Sequence, residues 1–278
     1  VTGLAALGYE AGPGVYNPVP RWEKSGKETP AEHVRALEQM RVAFGPKTAS
    51  VARKMNTKIG ADDDGAAIFW RSEKLRLVGG PSFLSLPSYI PKTAVRVELA
   101  RVSDGARLNV VCAHLASGDK GSHEAARLNE VGVLMPWLGA SIAAAPTIFC
   151  LDANSSPDRR EQETVWKALH STGLQSVWDS FFAADGSLLV DKRPSTTNKM
   201  RGPLSGQRQK MGEHMLGAID HLYFSQSLRF VRHAWGPVAH KDPAMARQQL
   251  IPSLAIPSDH YPLVAELVLH HPSTSSCV

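Results

Sequence analysis

Residues 146–157 read Pro146-Thr147-Ile148-Phe149-Cys150-Leu151-Asp152-Ala153-Asn154-Ser155-Ser156-Pro157. The apolar run Ile148 to Leu151 predicts a buried strand, and the turn-forming residues after it predict where that strand stops. Residues two apart on a strand share a face. The Asp152 carboxylate and the Asn154 amide are therefore expected side by side at a strand end. A carboxylate there can take a proton from water, and an amide beside it can donate to a phosphoryl oxygen. The plainer alternative is an Asx-turn that only closes the strand.

Outward from this stretch the same pattern recurs. Asn109-Val110-Val111-Cys112-Ala113 predicts a buried strand ending at His114. Ala218 to Phe224 predicts a strand with Asp220 inside an apolar run, and Leu228 to His233 a strand adjacent to it. Asp259 and His260 stand at the head of a closing strand, Tyr261 to Leu269. Taken singly, His114 reads as a core histidine, Asp220 as half of an ion pair, and Asp259-His260 as a turn. An acid between apolar neighbours needs compensation, because an unpaired buried charge is costly. Histidine is the natural partner, since a carboxylate fixes its tautomer and raises its basicity.

The remaining elements interleave with these. Ala66 to Trp70, Leu75 to Val78 and Thr93 to Val102 predict strands, the last by strict alternation. Helices are predicted over Ala31 to Phe44, His123 to Ala145 and about Glu161 to His170. Val1 to Lys27, rich in Gly and Pro, reads as loop, Gly45 to Asp64 as polar surface, Gly186 to Gly217 as a long polar insertion, and Pro272 to Val278 as a tail. Several strands neighbour one another in sequence, which excludes a purely parallel sheet. Two mixed sheets packed face to face with helices outside fit better.

The chain has 278 residues and a net charge of +5, a modest basic excess that favours nucleic acid or phosphorylated small molecules as partners. No apolar run approaches a membrane span. Three cysteines without metal or disulfide spacing fit a reducing, intracellular, cytoplasmic compartment. Between Asp191 and Lys210 lie Lys192, Arg193, Lys199, Arg201, Arg208 and Lys210, either a nucleic-acid grip or a solvated loop.

In this order, Cys112-Ala113-His114-Leu115, Leu151-Asp152-Ala153-Asn154-Ser155, Ala218-Ile219-Asp220-His221-Leu222 and Pro257-Ser258-Asp259-His260-Tyr261-Pro262-Leu263 resemble the endonuclease/exonuclease/phosphatase (DNase I-like) superfamily. Asp64-Gly65-Ala66-Ala67-Ile68-Phe69-Trp70, Thr196-Thr197-Asn198-Lys199-Met200-Arg201 and Glu124-x-x-Arg127 are similar to its poly(A) deadenylase, nocturnin-like branch, with Glu130 where that branch has Gln. The resemblance implies an α+β fold, a four-layer α/β/β/α sandwich of two mixed sheets, in one domain over 1–271. It also implies that the first strands, with an Asn and a metal-binding Glu, would precede Leu4 to Tyr9, leaving this chain incomplete at its N-terminus.

By the same resemblance Asp152 is the base or water-orienting carboxylate and Asn154 a phosphate donor. His260, oriented by Asp220, contacts the scissile phosphate, and His114 stabilises the phosphoryl transition state. Asp259 binds or orients a divalent metal, Mg²⁺ or Mn²⁺. Arg127, Thr197, Lys199 and Arg201 bind substrate. The implied activity is Mg²⁺-dependent phosphodiester hydrolysis, as a 3′-exoribonuclease or deadenylase on single-stranded RNA. Two alternatives stay open: a phosphatase on a small phosphorylated nucleotide such as NADP, and an inactive binding module.

Overall fold

A computed structural model describes residues 8–11, 15–16, 65–87, 92–118, 121–156, 164–181, 195–200, 212–233, 250–251 and 258–269. The helix expected over Ala31 to Phe44, the surface segment Gly45 to Asp64 and the tail from Pro272 lie outside the described residues. The centre is a six-stranded mixed sheet in the order β5 (Leu75–Leu86), β6 (Lys92–Arg101), β7 (Arg107–His114), β8 (Thr147–Asp152), β12 (Asp220–Phe224) and β9 (Gln175–Ser176). Only β7 and β8 run parallel; every other neighbouring pair is antiparallel. The parallel pair needs a crossover, and α1 (Gly121–Ala144) supplies it.

Alternation along the strands gives the sheet two different faces. Val111, Ala113, Phe149 and Leu151 turn towards α1, whose Val131, Leu134 and Leu138 are fully buried against them together with Val165 and Leu169 of α2 (Thr164–His170). Burial of a leucine of this kind contributes about 2 kcal/mol. On the other face Val95, Val97 and Leu99 of β6 pack with Ala66, Ile68 and Trp70. These last residues come from β3 (Gly65–Ala66), β4 (Phe69–Arg71) and the link between them. The sheet is thus covered by helices on one side and by strands on the other, as the sequence predicts.

Several expectations are corrected. The run Ala66 to Trp70 is not one strand. β3 pairs with β2 (Val15–Tyr16) and β4 with β1 (Tyr9–Ala11), so two strands also form within the N-terminal stretch read as loop. β5 does not stop at Val78. It continues through Gly79, Gly80 and Pro81 with two register shifts, which an edge strand tolerates. The insertion contains an antiparallel pair, β10 (Thr197–Met200) and β11 (His214–Gly217). β13 (Leu228–His233) does not join β12. A turn in which Leu228 N–H donates to the Ser225 carbonyl redirects the chain, and β13 pairs with β14 (Ala265–Leu269). β14 also begins four residues later than predicted, past Pro262, which has no N–H to give a ladder. Trp178 lies in a short 3-10 helix, Val177–Phe181, and is fully buried.

Candidate active site

The site is built from the register of three strands. In the parallel ladder His114 stands opposite Asp152, and in the antiparallel ladder Asp152 stands opposite Asp220. All three therefore lie in one row across β7, β8 and β12, at the strand ends. The row behind them is Cys112, Cys150 and Leu222. Burial pushes the Cys112 thiol up to about 11 and the Cys150 thiol up to about 12, so both stay protonated and act as small hydrophobic floor residues.

His260 arrives from a distant segment and completes the group. A bridge between Thr197 and His260, with Tyr261 N–H donating to the Thr196 carbonyl at 2.8 Å, ties its backbone to β10. The Thr196 hydroxyl in turn accepts from the Ile219 and Asp220 N–H groups at 2.9 and 3.2 Å. His260 Nδ1 donates to the Asp220 carboxylate at 2.9 and 3.1 Å, the pairing expected of an acid in an apolar run. That hydrogen bond, reinforced by the charges of Asp220, Asp152 and Asp259 and opposed by burial, raises the His260 pKa.

Asp152 is half-buried. Burial and the facing charge of Asp220 raise its pKa, against the pull of His114 and His260 and of the Asn154 N–H. The Asn154 N–H donates to Asp152 Oδ1 at 3.0 Å, so the Asx-turn also forms, with Asn154 in the left-handed region at φ 48° that asparagine tolerates. Turn and site are one device: the turn aims the Asn154 amide back across the sheet. Its Nδ2 donates to the Leu115 carbonyl at 3.1 Å and lies 3.1 Å from His114 Nε2. A carbonyl can only accept, so the amide nitrogen faces it, and Nε2 accepts from the same group. The second carboxylate oxygen, Asp152 Oδ2, is 3.4 Å from the same Nε2.

The other sequence-derived residues fall elsewhere. Asp259 is outside the Asp152, Asp220 and His260 group. Its carboxylate is paired with Lys199, and although burial opposes it, that partner together with His260 holds the Asp259 pKa below the usual range. Thr197 is fully buried and donates through its hydroxyl to the Asp259 carbonyl at 3.3 Å. Arg127 is 3% exposed and bonds Glu124 and the backbone carbonyls of Ala116 and Gly118. Arg201 lies outside the described residues. Sequence reading assigned no role to His221, which is buried behind the row. Its Nε2 donates to the Ser155 carbonyl at 2.8 Å, just past Asn154. The available signal was its place next to Asp220 in an apolar run.

One ligand atom each from Asp152, Asp220 and His260 lie within 4.8 Å of one another. Two carboxylates crowded enough to raise the pKa of one, with an imidazole beside them, are compatible with a divalent cation; carboxylate oxygens suit Mg²⁺ or Mn²⁺. This donor set differs from the sequence expectation, which placed the metal on Asp259.

A mixed sheet with helices on one side and further strands on the other is the fold of the endonuclease/exonuclease/phosphatase structures, the DNase I-like α+β sandwich. The catalytic domain of human nocturnin with bound sulfate superposes with a TM-score of 0.57 at 18% identity, over 97% of this chain and 75% of that one. ANGEL2, a 2′,3′-cyclic phosphatase, in complex with adenosine-2′,3′-vanadate, gives 0.57 at 13% identity, over 96% and 76%. An endonuclease/exonuclease/phosphatase family protein from Bacteroides thetaiotaomicron gives 0.50 at 17%, over 76% and 72%. No protein-family model matches the sequence, and no curated protein does. Among the described residues no helix is long and apolar enough to cross a membrane.

Proposed function

We propose that this chain is a divalent-metal-dependent phosphoesterase of the endonuclease/exonuclease/phosphatase superfamily, acting as a phosphodiesterase on the 3′ end of single-stranded RNA. The observation that carries the reading is the registered row His114–Asp152–Asp220 with His260 bonded to Asp220. Each member has a task in hydrolysis. Asp152, held by burial and Asp220 as a stronger base than a solvated carboxylate, takes the proton of the attacking water. Asp220 keeps His260 protonated to higher pH, so that its ring offers a charged donor to a phosphoryl oxygen. Asn154 Nδ2 and His114 supply further polar contacts where charge develops. Asp152 and Asp220 would hold the cation, Mg²⁺ or Mn²⁺, which when bound neutralises phosphoryl charge, with the His260 ring beside it as the donor.

The choice of RNA rests on the basic run between Asp191 and Lys210, of which Lys199 reaches the neighbourhood of His260 through Asp259. Arg201 of the same run completes the proposed substrate side, and Arg127 acts on it only indirectly, through its grip on the Ala116 and Gly118 carbonyls. A second reading, hydrolysis of a phosphate on a small nucleotide such as NADP, is favoured by the superposition on a 2′,3′-cyclic phosphatase.

The test is turnover of 5′-labelled oligo(A) and oligo(U), bis(p-nitrophenyl) phosphate, p-nitrophenyl phosphate and NADP, each with Mg²⁺, Mn²⁺ or chelator. A metal-dependent ladder shortening from the 3′ end is expected. Release of inorganic phosphate from NADP or the monoester alone selects the second reading. Oligonucleotide binding without turnover of any ester, under either metal, makes the chain a binding module.

A further inference from the structure

The buried stripe of α1 runs Arg127, Glu130, Val131, Leu134, Leu138, Ser141. Its apolar members pack on the sheet, but its first two are charged and almost wholly buried, Arg127 at 3% and Glu130 at 0% exposure. Burying such groups is costly unless their bonds are satisfied, and an apolar core would be better served by leucine at both places. What they face explains them. Beyond His114 the chain forms a short strap, residues 115–118, that belongs to no ladder. Glu130 Oε2 accepts the Ala116 N–H at 2.7 Å, and Arg127 Nη1 donates to the Ala116 carbonyl at 3.1 Å and the Gly118 carbonyl at 2.7 Å. Both polar groups of the Ala116 residue are thus gripped from one helix.

Glu124, one turn earlier, takes the rest of the guanidinium, through Nε at 3.1 Å and Nη2 at 2.8 Å. The strap ends at Gly118, φ 121°, where a Cβ would run into the His123 ring. On its other side the strap belongs to the active site. Leu115 N–H donates to the Asp152 carbonyl at 2.9 Å, and the Leu115 carbonyl accepts the Asn154 amide that also meets His114.

We propose that Glu130 and Arg127, with Glu124 behind them, are positioning residues: they lock the 115–118 strap from the helix side and so hold Asn154 and His114 in one mutual orientation. The proposal rests on the reading of the row as the reacting centre. Arg127 acts through the strap rather than by touching substrate. Glu130 contributes an acceptor oxygen, which a glutamine also owns, so charge at this position is not what the strap requires.

Three variants test this. Glu130→Leu removes the acceptor, Glu130→Gln keeps it, and Arg127→Lys keeps the charge but loses the fork that spans Ala116, Gly118 and Glu124. With the phosphodiester substrate that the intact protein turns over, Glu130→Leu and Arg127→Lys should lower kcat about 100-fold, with KM within twofold, because small misplacements of reacting groups cost that much. Glu130→Gln should restore kcat to within a few-fold. In parallel, the Asn154 side-chain amide resonances should move in Glu130→Leu and Arg127→Lys and return in Glu130→Gln. If Glu130→Leu does not fold, Arg127→Lys carries both readouts. Loss of activity only in proportion to unfolded protein, or an unmoved Asn154 signal with full kcat, overturns the proposal. If the intact protein hydrolyses no phosphate ester, the functional reading falls, and the strap lock is judged by the Asn154 resonances alone.

Discussion

Two carboxylates flank His260, and they behave oppositely. Asp220 is about one-fifth exposed, sits on a central strand and bonds the His260 ring, raising its pKa. Asp259 is more than half exposed, precedes the histidine in the chain and is paired with Lys199. The residue next to His260 in sequence is thus not its partner, and the residue forty positions away is. Asp259 lies in a bend just before His260, and its carboxylate turns to Lys199. Asp220 is delivered to the row by the ladder with β8, whose geometry leaves it little freedom. Asp220 is fixed by ladder register, whereas the Lys199–Asp259 pair sits on a short hairpin and a loop.

The largest test of this contrast is Asp152→Asn. With its proton acceptor gone from the registered row, kcat should fall at least about 1000-fold, within the span attributed to acid–base groups. Because burial and Asp220 raise the Asp152 pKa, its ionised form is disfavoured in the folded state. The asparagine variant should therefore melt higher than the parent in chelator, as read by calorimetry. A lower melting temperature would mean that the carboxylate holds the row together rather than straining it.

Asp220→Asn should have the next largest effect, about 100-fold in kcat, through loss of the charge that orients and protonates His260. It also separates the two carboxylates by pH. A raised His260 pKa means that the folded state holds the proton more tightly. The stability from the His260–Asp220 pair is then fully present below the unfolded histidine pKa, near 6.5, and is lost as pH rises through the folded value. In metal-free protein, the stability difference between parent and Asp220→Asn from urea unfolding should be largest near pH 6 and shrink towards alkaline pH. A difference that grows with pH would contradict the pairing.

The smallest effects belong to the other side. Lys199→Met leaves Asp259 without its main partner, and an exposed ion pair of this kind is worth about 0.2–1 kcal/mol. The Asp259 pKa is lowered in the folded state, so this contribution is present above the unfolded aspartate pKa and disappears as pH falls through the folded one. Turnover of a minimal ester such as bis(p-nitrophenyl) phosphate should change less than threefold. RNA affinity should fall, with the log–log salt slope reduced by roughly 0.7 for each lost contact to a single strand. A kcat loss as deep as that of Asp152→Asn on the minimal ester would move Lys199 into the reacting centre.

The sequence by itself determined which residues end the central strands. Apolar runs place His114 and Asp152 at strand ends and Asp220 within an apolar run, where the cost of an unpaired acid demands a partner such as a histidine. It also determined that the sheets are mixed, because adjacent strand patterns without intervening helices cannot all be parallel. Only the tertiary structure decided the rest. It decided that β8 lies between β7 and β12, that β13 leaves the main sheet, that strands form inside the N-terminal stretch and the insertion, and that Asp259 turns to Lys199. It also buried Arg127 and Glu130 and turned them towards the strap. The physical reason is common to these cases. Local sequence sets which groups a segment carries and how they alternate. Which distant backbone satisfies them is settled by ladder register and by the pairing of buried polar groups, which depend on partners tens of residues away.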